Sequence, residues 1–327
     1  MSKLIDYKSL EAEILKPIFQ EKMIDPFIAH VVESFIYKEI IKYSEDGIIV
    51  EKYMLKYGNY EGLYQSWNDN GQKLIECTYK EGIKDGLYQE WYEDGQKCEE
   101  CYYKEGKQEG LHQSWWPNGK IHIINNYKEG KREGIYQEWR LDGSKWAETN
   151  YKNDKREGLY QEWNSSGFKL TEKNYKDDKE EGLQQGVREG TNIRFQYNCK
   201  DGKKDGLEEH WYADRQSLPW YTSLSERSDI RESGKNEKKS GEFDYKDGNI
   251  LSNKGWYENG QIQREYYYNK EGYADGLCEY WFENGQKMWF QNMKEGKKHG
   301  ELKQWNEQGE LIYHEIYNEG ELIEKIL

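Results

Sequence analysis

From about residue 58 onward, apolar and polar positions alternate one by one in short runs. Within Gly86–Tyr92, Leu87, Gln89 and Trp91 project to one side, while Tyr88, Glu90 and Tyr92 project to the other. A period of two specifies a β-strand, and the apolar residues here do not recur at helical spacing. Asp94-Gly95 follows, matched elsewhere by Asn70-Gly71, Asn118-Gly119, Asp142-Gly143, Asn259-Gly260 and Asn284-Gly285. Such dipeptides predict a hairpin turn of type I′, in which both central residues take positive φ. A second strand ends at Tyr103, and the connector Lys104-Glu105-Gly106-Lys107 turns the chain into the next hairpin.

This unit repeats. Gly62, Gly86, Gly110, Gly134, Gly158, Gly182 and Gly206 stand 24 residues apart, as do Gly276 and Gly300. A tryptophan follows five residues later at Trp67, Trp91, Trp115, Trp139, Trp163, Trp211, Trp281 and Trp305. Tyr79, Tyr103, Tyr127, Tyr151, Tyr175 and Tyr317 close their units. The pattern predicts a mainly β fold: an elongated array of about ten antiparallel hairpins joined as a single twisted meander sheet. Successive hairpins then stack their columns into ladders. The Leu and Trp ladders of one face read as packing. The other face carries Tyr88, Tyr136 and Tyr160 with Glu90, Glu138 and Glu162. That ladder reads either as a partner-contact surface or as a solvated sheet face.

Two stretches break the period. In residues 1–50, Ile14, Leu15, Ile18 and Phe19, then Phe27, Ile28, Val31, Val32, Phe35 and Ile36, then Ile40 and Ile41 follow helical spacing, with Pro17 and Pro26 at helix starts or breaks. They predict a short N-terminal α-helical cap, which covers the first hairpin's edge or docks a partner. Regular repeats then occupy 51–211. Residues 212–255 are irregular; they contain Trp220 and Tyr221 and are either a partner-binding loop or degenerate hairpins. Regular repeats resume over 256–327.

Composition shifts this picture in two ways. The chain is 34% charged with a net charge of −14, a profile that leans toward disorder. Yet 15% of its residues are aromatic and recur on schedule, which supplies burial without an aliphatic core. The acidic balance opposes binding to nucleic acid backbones and anionic lipid surfaces, and suits a basic protein partner.

The residues offer no catalytic chemistry. The 5 cysteines form no even disulfide framework, which points to reduced thiols in the cytoplasm. Cys98 and Cys101 have zinc-like spacing but lack a second pair, and residues three apart on a strand point to opposite faces. Cys98 shares a column with His122 without completing a ligand set. No phosphate-cradling loop, nucleophile elbow or kinase signature is present. Neither a signal-peptide core after Lys3 and Asp6 nor an apolar run long enough to span a membrane appears. The expectation is a non-enzymatic protein with no cofactor, no metal and no small-molecule substrate.

The columns resemble the MORN repeat family in its bacterial variant form. The resemblance is carried by Gly86-Leu87-Tyr88-Gln89-Glu90-Trp91-Tyr92-Glu93-Asp94-Gly95-Gln96-Lys97 with Tyr103-Lys104-Glu105-Gly106-Lys107-Gln108-Glu109-Gly110. It covers roughly residues 58–327 and departs where Val187 replaces the tryptophan and where the columns dissolve over 212–255. Bacterial chains of this kind are grouped as YwqK-like antitoxins, so the resemblance implies a protein that binds and neutralises a toxin. Many toxins that attack nucleic acids are basic, which agrees with the charge. The alternative is a structural scaffold or a membrane-tethering repeat protein. Partner contacts are assigned to Tyr88, Glu90, Tyr136, Glu138, Tyr160, Glu162, Trp220 and Tyr221.

Overall fold

The computed structural model describes residues 36–188, 191, 193–212 and 238–327. Every element among them is a β-strand. The chain forms two units, Met1–Gly143 and Ser144–Leu327. Within each unit the strands run as an antiparallel meander, each paired with its neighbours in sequence, as the alternation predicts. In the first unit, Lys73–Lys80 is followed by Ile83–Trp91 and Lys97–Lys104. Gly62 pairs with Tyr79, and Gly86 with Tyr103. The second unit keeps the same register, with Gly158 opposite Tyr175 and Gly300 opposite Tyr317.

The type I′ turn predicted at the Asn-Gly and Asp-Gly dipeptides is found instead at the connectors. At Asn68–Gln72, the Gly71 N–H donates to the Asn68 carbonyl (2.9 Å) and the Asn68 N–H to the Gln72 carbonyl (2.9 Å). Gly71 is the left-handed residue there, at φ 75°. This is a three-residue loop, a type I turn closed by a glycine bulge, rather than a type I′ turn. Asn68 Oδ1 secures it by accepting from the N–H groups of Asn70 (3.1 Å) and Gln72 (2.9 Å). The type I′ geometry lies at the connectors, where paired left-handed residues occur: Glu105 (50°) with Gly106 (79°), and Asp201 (52°) with Gly202 (80°). Two connectors lack glycine and use Asn153-Asp154 and Asp177-Asp178, residue types that tolerate this region best after glycine.

At five hairpins the acid before the lead glycine ties one connector to the next. Glu61 accepts from the Glu81 N–H (2.8 Å), Asp85 from Glu105 (3.0 Å), Glu109 from Glu129 (2.7 Å), Glu157 from Asp177 (3.1 Å) and Glu181 from Asp201 (2.8 Å). The lead glycine itself sits in a bulge. Gly86 has φ 122°, and a Cβ added there would lie 2.0 Å from Thr78 Oγ1.

The predicted helical cap falls largely on residues 1–35, outside the described residues. Ile40 and Ile41, read with helical spacing, stand instead in the strand Tyr37–Tyr43, which pairs with Ile49–Lys56. A short apolar run does not by itself separate helix from strand. Here the turn around Gly47 (φ 80°) decides: Ser44 Oγ accepts from the Ile48 N–H (3.1 Å) and closes a hairpin. Within the segment read as irregular, Lys238–Lys246 and Asn249–Trp256 form a regular hairpin. Tyr212 pairs directly with Lys238, so the meander holds on both sides of 213–237.

Candidate functional site: two unlike sheet faces

Alternation gives each hairpin two faces, and the structure assigns them opposite roles to those the hydrophobicity suggests. Tyr88 lies between Cys77 and Cys101 across neighbouring strands, and all three are buried, at 9%, 2% and 2% exposure. Tyr64, Ile75, Tyr79 and Tyr103 pack against them. The tyrosines meet edge to face: Tyr88 and Tyr103 at 6.0 Å, Tyr64 and Tyr79 at 6.1 Å, Tyr160 and Tyr175 at 6.2 Å. Lys84 lies over the Tyr88 ring (4.1 Å) and Arg156 over Tyr175 (3.9 Å).

The six tyrosine and glutamate positions singled out in the sequence all stand on this side of their hairpins. Each tyrosine O–H donates to the glutamate two residues on: Tyr88 to Glu90 (2.7 Å), Tyr136 to Glu138 (2.6 Å) and Tyr160 to Glu162 (3.2 Å). The solvated-face reading does not describe Tyr88, which is buried. Burial, then the Glu90 carboxylate, pushes the Tyr88 phenol well above its ordinary range. Burial acts likewise on Tyr160 and raises Tyr103 to about 12. His112 hydrogen-bonds Glu99 (3.1 Å), and this contact holds the Glu99 carboxyl below its usual range. Trp220 and Tyr221 lie outside the described residues.

The opposite face carries the aliphatic column, which was expected to pack and does not. Leu63, Leu87, Leu111 and Ile135 are 48%, 46%, 50% and 50% exposed. The reason is architectural: among the described residues every element belongs to the meander, so no second layer covers this side. The tryptophans of the repeat are half-buried, and at three of them a lysine of the preceding hairpin reaches over the ring. Lys73 lies 5.5 Å from Trp91, Lys97 5.6 Å from Trp115 and Lys145 5.3 Å from Trp163. Those lysines are held in turn by carboxylates. Lys97 donates to Glu100 (2.5 Å), which also accepts from Gln89 Nε2 (2.7 Å). The Glu76 and Glu100 carboxyls are lowered by these lysine contacts first. This Gln–Glu–Lys–Trp belt was missed in the sequence, although its lysine column was visible at Lys73, Lys97, Lys145 and Lys169.

Among the described residues, no group of three or more His, Cys, Asp or Glu side chains is placed to hold a metal ion. No helix among them is long and apolar enough to cross a membrane.

Residues 60–81, 84–105, 108–129 and 253–270 match the MORN repeat variant family. These four segments are similar to MORN repeats. No curated protein matches the sequence. The first three matches each span one hairpin, ending on the first left-handed residue of a connector, Glu81, Glu105 or Glu129. Hairpins outside the matched segments keep the same register, since Gly158 pairs with Tyr175 as Gly86 does with Tyr103. MORN repeats form a non-catalytic family of modules that bind proteins or membranes. In this chain one face of the hairpins is spent on internal packing and hydrogen bonds, and the other leaves a periodic aliphatic column open.

Proposed function

We propose that this protein is a non-enzymatic, protein-binding repeat protein of the antitoxin or immunity type, which holds a basic partner protein on its sheet. The observation that carries this reading is the open column of Leu63, Leu87, Leu111 and Ile135, one large aliphatic side chain per hairpin. Exposed aliphatic side chains aligned at a fixed spacing on one sheet face suit an interaction site. The net charge of −14 selects the partner's sign and favours fast association with a basic protein. The tyrosine and glutamate residues first assigned to the contact act in this reading from behind, by fixing the strand positions from which the aliphatic column projects. The reading puts the protein in the cytoplasm, supported by its free cysteine thiols.

The test is affinity capture from the protein's own cells with tagged full-length chain, beside the variant Leu63→Asp/Leu111→Asp. The expected result is one basic protein recovered in stoichiometric amount, released as salt rises, and lost with the variant. Recovery of the chain alone, or of membrane components, would replace this reading with a scaffold or tethering role.

A further inference from the structure

The row of the packed face nearest the Asn-Gly turns changes character within the second unit. Four residues after its lead glycine, one hairpin carries Glu162, whereas a later one carries Tyr280. Tyr280 pairs across the strands with Trp289, and Trp289 pairs with Gln304. The two rings meet edge to face at 5.9 Å. With Phe282, Met288 and Ile312 they line an open cleft of about 520 Å³, within the size range of small-ligand sites. Gln304 supplies the cleft's amide.

Two features assign a charge to the occupant. First, no cation of the chain lies over Trp289 or Tyr280 among the described residues. The nearest candidate in sequence, Lys287, is held by Glu279 (2.6 Å) and lies over Trp281 and Phe290. Elsewhere the protein's own rings do hold flat cations at contact distance, with Arg194 4.0 Å over Trp211 and Arg156 3.9 Å over Tyr175. Second, the turns that rim the cleft are acidic. Glu283 follows Phe282, and Glu307 lies two residues after Trp305, which also lines the cleft. Both carboxylates are exposed, and neither forms an ion pair among the described residues. Aromatic walls under an acidic rim favour a planar, weakly hydrated cation over a neutral group.

We propose that this cleft takes an arginine side chain of the partner, an assignment that rests on the reading of the protein as a binder of a basic protein. The probe is the capped tripeptide Gly-Arg-Gly, titrated into the intact chain while the Trp289 indole N–H is followed by NMR. Its comparison is the same peptide with citrulline, which keeps the shape and removes the charge. The arginine peptide should shift Trp289 and bind at least tenfold more tightly than the citrulline peptide, with affinity falling as salt rises. Trp289→Phe, which keeps a ring and the fold, should weaken binding several-fold, read from the Tyr280 ring signals, and Trp289→Ala should abolish it. Equal binding of both peptides would make the site a neutral apolar one and overturn the assignment, as would no shift of Trp289 with either. A basic partner captured with unchanged affinity by Trp289→Phe and Trp289→Ala would sink the cleft assignment alone. Selective arginine binding with no basic partner recovered would instead remove the proposed function and leave the cleft assignment standing.

Discussion

Replacing Gly86 by alanine separates two costs that the repeat places on its lead glycines. The first is conformational. Gly86 and Gly134 both stand at positive φ, 122° and 91°, a region where a non-glycine residue costs about 1–2 kcal/mol. The second is steric and differs between the two sites. An alanine Cβ at Gly86 would lie 2.0 Å from Thr78 Oγ1 and 3.2 Å from Thr78 Cβ, whereas nothing lies within 4 Å at Gly134. Thr78 must leave its rotamer to clear the added methyl, and its own Cβ stays within 3.2 Å, so strain of about 1–3 kcal/mol is added. Gly134→Ala should therefore destabilise its hairpin by about 1–2 kcal/mol and Gly86→Ala by about 2–5 kcal/mol. Because a repeat array need not unfold in one step, the assay is native-state hydrogen exchange read strand by strand. Protection over Lys73–Trp91 should fall at least about 30-fold in Gly86→Ala, at about 1.4 kcal/mol per tenfold. Adding Thr78→Ala should recover part of that loss. Equal losses for the two glycine variants, or no recovery in the double variant, would refute the steric argument.

Other outcomes follow from the same geometry. Glu109→Gln weakens the bond from the Glu129 N–H (2.7 Å) by removing its charge, and should cost about 1 kcal/mol, seen as faster exchange of that amide. Glu105 holds φ 50°, so Glu105→Gly should stabilise the connector by about 1 kcal/mol and Glu105→Val should destabilise it, by thermal midpoint. Alkali should unfold the sheet late. Tyr79 and Tyr103 have folded pKa values raised from 10.0 to about 12, so their contribution is fully present below pH 10 and is lost as pH rises toward about 12. Phenolate absorbance should show these tyrosines ionising after the exposed ones.

Much of the fold was legible in the sequence because its decisive residues recur in phase. Lead glycines, tryptophans and closing tyrosines mark each hairpin, and alternation marks each strand. The turn types were misassigned because Asn-Gly serves two geometries, a type I turn with a glycine bulge as well as type I′. Loop length separates them: Asn68–Gln72 needs three central residues, while Lys104-Glu105-Gly106-Lys107 leaves two. The faces were inverted because aliphatic side chains were taken as the packed set. Among the described residues no second layer receives Leu87, whereas Tyr88 is packed by Cys77 and Cys101 on the strands beside it. The aromatic cleft around Trp289 was not visible as a site, since its residues come from four strands and a turn and share no motif.

In the proposed complex the aliphatic column meets a basic partner while the tyrosine face stays internal. Hydroxyl-radical footprinting of the captured complex against the free chain tests this directly. Leu63, Leu87, Leu111 and Ile135 should lose reactivity on binding, while Tyr88, already buried, should not change. Protection confined to other surfaces, with that column as reactive in the complex as in the free chain, would contradict it.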